Sequence, residues 1–313
     1  MIIVDEQKIT KQPLVTVQIY AYNKEAYIKE CLDSVLLQET NFEYEVILSE
    51  NPGSDHTRDI CIEYQKKFPE KLILVLREEN MGLFYNYFEA EKMSRGKYIA
   101  RCDGDDYWCD LRKLQKQFDL MEHSPEVGLC YTQCRVYDEN MKCFQKRNIG
   151  EEYHGFESML LYYPVPQPTI FYRRDLFNDY LNEIKPQQRD WLMEDLPRSL
   201  WFAKNSQIKR IDDVTTVYRV VKDSMSHNIN LEKQQRYYQS ILDIRLFFYK
   251  LYCDNKPEIL YKLYNAFYKN NIHAASLARK PKLCWKYYKQ YRISGLKDLV
   301  RIHILLLKAF YKY

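Results

Sequence analysis

Apolar residues form two kinds of pattern along the first third of the chain, short runs and a recurrence every three to four positions. Four short runs are rich in β-branched and aromatic residues, which is typical of buried strands: Leu14–Tyr20, Tyr44–Leu48, Leu72–Leu76 and Tyr98–Cys102. Between these runs apolar residues recur every three to four positions, which predicts three helices, the first of them capped by Asn23. Strands that alternate with helices through short links predict an α/β fold, with a Rossmann-like, mostly parallel sheet flanked by helices.

Polar residues follow each of the four predicted strands. In chain order they are Tyr22–Asn23, Glu50–Asn51, Asn80 and Asp103–Asp106. Ligands of open parallel sheets bind beyond the carboxyl ends of the strands, so we expect these side chains to converge on one site. The sequence contains neither the glycine-rich dinucleotide fingerprint nor a GxxxxGK phosphate-binding loop, and neither kind of site is predicted.

The end of the fourth run is strongly acidic. Asp103, Asp105 and Asp106 place three carboxylates within four positions, and such charges repel unless a cation or strong donors offset them. Mg²⁺ and Mn²⁺ prefer oxygen ligands and usually take one or two protein carboxylates, with water and phosphate oxygens completing the shell. The cluster therefore predicts a Mn or Mg site that assists a diphosphate leaving group. A solvated Asp-Gly turn is the alternative.

Charge is unevenly distributed along the chain, whose net charge is +4. The segment from Leu231 to Tyr313 has 17 basic and 5 acidic residues, whereas the remainder has 30 basic and 38 acidic residues. This basic segment is predicted to be helical, and anionic lipid or nucleic acid could neutralise it. Near its end a basic stripe lies apart from the apolar residues, which fits a helix on an anionic membrane or a helix packed on the protein. The stripe is Lys297, Arg301, Lys308 and Lys312.

Cysteine usage and hydropathy bear on location. The nine cysteines are scattered, no signal segment opens the chain, and no apolar run reaches the roughly 18–20 residues that span a bilayer. We therefore expect free thiols and a cytoplasmic protein, with the inner face of the cell membrane as the place where the basic segment would bind. Cys130, Cys134 and Cys143 lack zinc-site spacing, so zinc is not expected.

Six segments of the chain, in order, resemble family 2 glycosyltransferases of the GT-A fold, of the kind that builds bacterial polysaccharides. The matching pieces are Val15–Asn23, Leu32–Gln38, Ser49–Thr57, Arg77–Gly82, Gly96–Ala100 and Asp103–Asp106. The resemblance implies a GT-A domain over residues 1–230, with a nucleotide-sugar half over about 12–135 and an acceptor half over about 136–230. Residues 231–313 would form the basic helical C-terminal region.

The resemblance also implies roles for individual residues. Asp103 would lie near the ribose of the donor, Asp105 would bind the metal, and Asp106 would support the loop. Glu50 would hold the uracil or ribose. The full set of nucleotide-binding residues implied is Ala21, Tyr22, Asn23, Glu25, Glu50, Asn80 and Asp103. The sequence departs from the family at Ala21, where a hydroxyl is usual, and at Asn51, where a second acid is usual.

A second stretch, from Glu194 to Arg219, resembles the same family, in which an acidic pair opens a helix beneath the acceptor site. That position maps the general base onto Asp195, with Glu194 beside it and Asp190 as the runner-up. Family members often have a histidine after the segment that matches Tyr218-Arg219. This chain lacks it, and Lys222 could approach the diphosphate instead.

These features predict an enzyme that transfers a sugar from a nucleotide-sugar, with a uridine nucleotide preferred, to a glycan or lipid-linked saccharide with inversion. A sugar nucleotidyltransferase is the first alternative, but it would need a glycine-rich loop after the first strand, and Tyr20–Glu25 contains no glycine. A basic nucleic-acid-binding protein is the second, but it would leave the acidic strand ends without a role, so no nucleic-acid partner is expected.

Overall fold

The structure is a computed structural model that describes residues 2–4, 11–221 and 230–310. Within these ranges ten strands form one sheet. In chain order the strands are β1 (Ile2–Val4), β2 (Val15–Ala21), β3 (Tyr44–Glu50), β4 (Leu72–Leu76), β5 (Tyr98–Asp103), β6 (Tyr107–Trp108), β7 (Val127–Asp138), β8 (Cys143–Phe144), β9 (Phe171–Arg173) and β10 (Gln207–Val220).

Helices flank the sheet and form most of the C-terminal region. In chain order they are α1 (Ile28–Leu36), α2 (Thr57–Lys67), α3 (Leu83–Met93), α4 (Lys113–His123), α5 (Phe156–Leu161), α6 (Arg174–Ile184), α7 (Asp195–Asn205), α8 (Leu231–Tyr252), α9 (Pro257–Leu277), α10 (Pro281–Tyr288) and α11 (Leu296–Phe310).

The predicted cap of the first helix is wrong. The N-cap of α1 is Tyr27, and its side chain makes no capping hydrogen bond. Asn23 lies five residues before the helix, in a left-handed backbone conformation with φ of 52°. Its Oδ1 atom accepts a hydrogen bond from the backbone N of Ser54 at 2.8 Å. The side chain is therefore committed to the loop after β3 and cannot also cap α1.

The sheet has the strand order β1-β4-β3-β2-β5-β9-β7-β10-β6, with β8 paired to β7. Strands β4, β3, β2 and β5 are parallel to one another, and β1 is antiparallel to β4. Strand β9 is antiparallel to both β5 and β7, and the long pairing of β7 with β10 is again parallel. The predicted α/β sheet with flanking helices is confirmed, and its second half is mixed.

The central strands are covered on both faces. Every residue of β2 and β3 is buried, as expected for parallel strands between two helical layers. The predicted apolar face of α1 is buried in the largest apolar cluster, together with side chains of β2, β3 and β5. The residues of that face are Ile28, Cys31, Leu32 and Val35.

The described residues divide into two compact units. The first comprises 2–4, 11–153, 164–189 and 201–221 and contains the whole sheet. The second comprises 154–163, 190–200 and 230–310 and contains α5 and α8 to α11. The boundary at residue 230 stays a prediction.

Helix α11 of the second unit has three distinct faces. One face is buried against α9 and α10 through Ile302, Leu305, Leu306 and Ala309. A second face is apolar but exposed, with Leu296 77% and Leu307 58% accessible; its other members are Val300, Ile304 and Phe310. Three basic residues of the predicted stripe, Lys297, Arg301 and Lys308, are also exposed, and Lys312 lies outside the described residues. Because a packed helix ordinarily needs only one apolar face, this second apolar face requires another explanation.

None of the helices in the described part of the chain has the length and apolarity that crossing a bilayer requires. All nine cysteines are free thiols.

The turn that follows β5 depends on a close backbone approach at Gly104. A Cβ atom at Gly104 would lie 2.7 Å from the carbonyl oxygen of Tyr20 on β2. Gly104 also donates its backbone N–H to that same carbonyl at 3.1 Å. The glycine lets the acidic end of β5 remain joined to β2.

Gly104→Ala should therefore lower the free energy of unfolding by about 1–3 kcal/mol, because backbone atoms must shift to admit the methyl group. Urea denaturation followed by circular dichroism measures this change. Gly295→Ala is the control, since no heavy atom lies within 4 Å of the added Cβ there. Equal losses in the two variants would contradict this account.

Candidate active site

The carboxyl ends of β2, β3 and β5 lie side by side. Ala21 pairs with Glu50 in the register of β2 and β3, and Tyr20 pairs with Asp103 in the register of β2 and β5. The hydrogen bonding continues past the strands, where the backbone N of Asn51 donates to the carbonyl of Ala21 at 3.0 Å. Three of the candidate residues therefore lie on one edge of the sheet.

The loops after β2 and β3 are tied together by candidate side chains. Asn23 holds Ser54, as described above, and Oε2 of Glu25 accepts a hydrogen bond from the backbone N of His56 at 2.7 Å. Tyr22 directly precedes Asn23, and 46% of its surface is exposed. Asn23 and Glu25 thus shape the loop, while Tyr22 presents an accessible ring.

Asn80 lies in the exposed loop between β4 and α3. Its Oδ1 atom accepts a hydrogen bond from the backbone N of Gly82 at 3.0 Å. That contact stabilises a local turn.

Glu50 is a buried carboxylate at the end of β3. Its Oε2 atom accepts a hydrogen bond from Nε of Arg58 at 2.7 Å, and its Oε1 atom has no hydrogen-bond partner within the described part of the chain. Burial raises the pKa of the Glu50 carboxyl, and the Arg58 guanidinium opposes this rise. A buried acceptor without a donor is costly, so Oε1 is suited to receive an N–H or O–H group from a ligand.

The acidic turn, Asp103 to Asp106, contains three carboxylates in different surroundings. Asp105 is partly exposed and forms an ion pair with Lys24, whose Nζ atom lies 2.5 Å from Oδ2. Asp106 is buried, and its Oδ1 atom accepts the backbone N–H of Arg219 at 2.7 Å. Burial, together with the charges of Asp105 and Asp103, raises the pKa of the Asp106 carboxyl well above its ordinary value. Asp105 and Asp106 of this turn therefore differ in exposure and in the groups that compensate them.

The oxygen atoms at this turn suit a divalent cation such as Mg²⁺ or Mn²⁺ that takes only one or two ligands from the protein. Among the described residues no three His, Cys, Asp or Glu side chains converge as a complete metal cage. Asp103 and Asp105 could supply one or two oxygens, as Mg²⁺ or Mn²⁺ sites that share a phosphate usually require. The Lys24 ammonium lies against Asp105, where it balances the charge that such a cation would balance.

Arg219 is the main residue at the acidic turn that the sequence did not reveal. It lies at the end of β10 and is buried, and one guanidinium N–H donates to the backbone carbonyl of Asp105 at 2.7 Å. The same side chain pairs with Glu139 at 3.3 Å and with Glu30. The match of the Tyr218-Arg219 segment to the family was the signal that the sequence offered for Arg219. The sequence did not indicate the contacts of Arg219 with residues about 80 to 190 positions away.

Asp195 lies in the second unit, at the first position of α7. Burial and the negative charge of Glu194 raise the pKa of the Asp195 carboxyl to about 6, and Arg198 opposes that rise. Glu194 is itself held by Arg198, whose guanidinium lies 2.8 Å from its carboxylate. Burial and the charge of Asp195 also raise the pKa of the Tyr163 hydroxyl. Asp195 is thus a carboxyl group whose pKa lies closer to neutral than is usual for an aspartate.

The runner-up base has different surroundings. The Asp190 side chain is 89% exposed and pairs with Arg236 at 3.2 Å. Lys222, the candidate cation, lies outside the described residues.

Three tryptophans, Trp108, Trp191 and Trp201, are buried.

Comparison with known proteins gives a consistent family. The profile of the family described as Glycosyl transferase family 2 matches residues 16–181. An uncharacterized protein of Mycobacterium tuberculosis is 38% identical over 223 residues, which are 69% of this chain and 61% of that protein. The chain therefore spans about 61% of the length of this relative. An uncharacterized glycosyltransferase of Methanocaldococcus jannaschii is 27% identical over 72% of this chain and 78% of its own length.

Solved structures with the same fold include two with bound nucleotide-sugars. A mannosyltransferase of Pyrobaculum calidifontis in complex with GDP-Man and Mn²⁺ superposes with a TM-score of 0.58 at 18% identity, covering 97% of this chain and 82% of that one. TarS 1–349 of S. aureus in complex with UDP-GlcNAc gives 0.54 at 16% identity, covering 91% and 95%. These likenesses confirm the predicted GT-A fold, and with the profile match over residues 16–181 they show that the chain belongs to glycosyl transferase family 2.

Proposed function

We propose that this protein is a glycosyltransferase that moves a sugar from a nucleotide-sugar to a hydroxyl of a glycan or a lipid-linked saccharide. The reaction inverts the sugar's configuration and needs a divalent ion, Mn²⁺ or Mg²⁺. One observation carries the proposal: Glu50 and the acidic turn flank the end of β2 on its two sides, at the ligand-binding edge of a family 2 sheet.

The donor nucleoside would bind along the ends of β2 and β3. The Oε1 atom of Glu50 supports this assignment, since it is buried and ready to accept a hydrogen bond from the base or ribose. The exposed Tyr22 ring offers a surface for the planar base. Uridine is our proposal for the base; TarS 1–349 is in complex with UDP-GlcNAc, whereas the Pyrobaculum mannosyltransferase is in complex with GDP-Man.

The diphosphate would lie at the acidic turn. Asp105 would hold the divalent ion and Asp103 the ribose, and the ion supplies stabilisation of the charge that develops on the leaving diphosphate. Lys24 would release Asp105 and remain nearby as a cation. The Mn²⁺ bound by the Pyrobaculum neighbour supports a metal of this kind.

Asp195 is our choice for the general base. Its role is to take the proton from the acceptor hydroxyl as that oxygen attacks the sugar carbon. Two features support this choice over Asp190: its carboxyl is partly buried, and its pKa of about 6 suits proton transfer near neutral pH. Asp190 is exposed and paired with Arg236.

The two partners of the Lys24–Asp105 ion pair should have opposite effects on metal binding. Asp105→Asn should weaken Mn²⁺-dependent binding of UDP by at least about tenfold, because a charged ligand is lost. Lys24→Met should strengthen Mn²⁺ binding in the absence of nucleotide by several-fold, because the competing ammonium is gone. Electron paramagnetic resonance measures free Mn²⁺, and calorimetry measures UDP.

Lys29→Met is the matched control, since Lys29 is an exposed lysine of α1 with the same charge. It should leave Mn²⁺ affinity almost unchanged. Weaker Mn²⁺ binding in Lys24→Met would contradict the competition, and full transfer activity of the unaltered enzyme in EDTA would contradict the metal.

Asp195→Asn should separate chemistry from donor binding. Turnover should fall by a factor on the order of 10²–10⁴, the range for loss of a general acid–base group, while UDP and Mn²⁺ bind as before. In the unaltered enzyme kcat should decrease as pH falls below about 6, because the base is then protonated. Asp190→Asn is the control, and the opposite outcome for the two variants would make Asp190 the base.

We also propose that the exposed apolar face of α11 binds an anionic membrane. Leu296, Val300, Ile304 and Leu307 recur at three- and four-residue spacing, and the basic stripe of Lys297, Arg301 and Lys308 adjoins them. An apolar face beside a basic face is the pattern of a helix that lies in a bilayer interface. Anionic headgroups complement the basic residues, and such a location would suit a lipid-linked acceptor.

Leu307→Gln should therefore reduce co-sedimentation with vesicles of phosphatidylglycerol and phosphatidylcholine by several-fold, because it removes apolar surface from the interface. Salt should weaken binding of the unaltered protein. Leu277→Gln is the control, since Leu277 is 64% exposed at the end of α9. Failure of the unaltered protein to sediment with these vesicles, or its self-association at equal concentration, would overturn the proposal.

A further inference from the structure

A cavity of about 490 Å³ lies beside the acidic turn, within the first unit. We call it the tyrosine pocket, because its aromatic lining consists of Tyr27, Tyr107, Tyr137 and Phe144. The start of α1, strand β6, the end of β7 and strand β8 supply these rings. The volume falls within the range of about 300–1,000 Å³ that is usual for small-molecule sites.

The aromatic lining is held in place by neighbours. The rings of Tyr137 and Phe144 meet edge to face with centroids 5.0 Å apart. The Arg135 guanidinium lies over the Phe144 ring at 3.8 Å, and that of Arg219 lies over the Tyr107 ring at 4.6 Å. Flat apolar surfaces with fixed orientation and phenol hydroxyls suit a ligand that has both an apolar face and a polar rim.

The charged residues of the tyrosine pocket neutralise one another. Arg219 pairs with Glu139 and Glu30, and Lys142 pairs with Glu139 at 2.6 Å. Two carboxylates thus face two cations, so the pocket has no net charge to attract an anion or a cation. Carboxylates, hydroxyls and ammonium groups together can donate to and accept from the hydroxyls of a neutral ligand.

Arg219 joins this pocket to the acidic turn. Its side chain donates to the carbonyl of Asp105, and its backbone N–H donates to the carboxylate of Asp106, both at 2.7 Å. A ligand in the pocket would therefore contact a residue that also fixes the turn at which the metal and diphosphate are proposed to bind.

We propose that the tyrosine pocket binds one neutral pyranose residue of the acceptor glycan. A pyranose has an apolar C–H face that can lie on an aromatic ring and a rim of hydroxyls that can bond to carboxylates, and it has no charge. This inference rests on the proposed function, since it identifies part of the acceptor. A nucleotide fits the pocket less well, because its phosphates would find both cations already neutralised.

The test is direct binding to the full chain. Saturation-transfer difference NMR with the methyl glycosides of glucose, galactose, mannose and N-acetylglucosamine should detect at least one of them, with saturation strongest on ring C–H protons. Phe144→Ala should weaken that binding about tenfold, because it removes an apolar contact surface. Tyr264→Ala, which removes a ring of similar exposure from α9, should leave it unchanged.

Two further measurements separate this inference from the proposed function. Saturating UDP with Mn²⁺ should leave glycoside binding in place, and displacement would mean that the glycoside occupies the donor site. Failure of every glycoside to bind, or equal binding to Phe144→Ala and the unaltered protein, overturns the inference while leaving UDP binding to test the donor site. Absence of UDP binding alongside retained glycoside binding would overturn the proposed function instead.

Discussion

The acidic turn after β5 contains three carboxylates within four residues. Their mutual repulsion destabilises the turn unless other groups offset it. The protein offsets each charge differently. Asp105 has the Lys24 ammonium at 2.5 Å, whereas Asp106 is buried and has a backbone N–H of Arg219. Burial, together with the charges of Asp105 and Asp103, raises the pKa of the Asp106 carboxyl. Under the proposed function, a divalent cation would take over part of this charge compensation and would bind the diphosphate.

Arg219, which compensates the acidic turn, also connects distant parts of the first unit. Arg219 stands at the end of β10, more than a hundred residues after the acidic turn, and its guanidinium also pairs with Glu30 of α1 and Glu139 after β7. Strand β10 pairs with both β7 and β6, which brings these groups together. The tyrosine pocket follows from this convergence, since its charged lining includes Arg219 together with its partners Glu30 and Glu139.

The second unit contains a carboxyl group in different surroundings, that of Asp195. Asp195 is close to another acid, Glu194, and Arg198 compensates mainly the latter through a buried ion pair. The result is an acid whose pKa rises to about 6. Helix α11 belongs to this unit and buries one apolar face while exposing another. The membrane contact proposed above would account for this second apolar face.

The sequence by itself determined the elements whose stability is local. Strands β2 to β5 and helices α1 to α3 follow from the apolar pattern, because burial of one helix face leaves a periodic pattern and burial of a whole parallel strand leaves a short apolar run. The acidic turn and Glu50 could be recognised as candidates, because each follows a buried strand. Only the tertiary structure decided which side chains meet. Asn23 binds Ser54 rather than capping α1, Lys24 meets Asp105 from 81 residues away, and Arg219 completes the turn. Such contacts depend on the pairing of strands that lie far apart in the sequence. The local pattern of apolar residues does not predict that pairing.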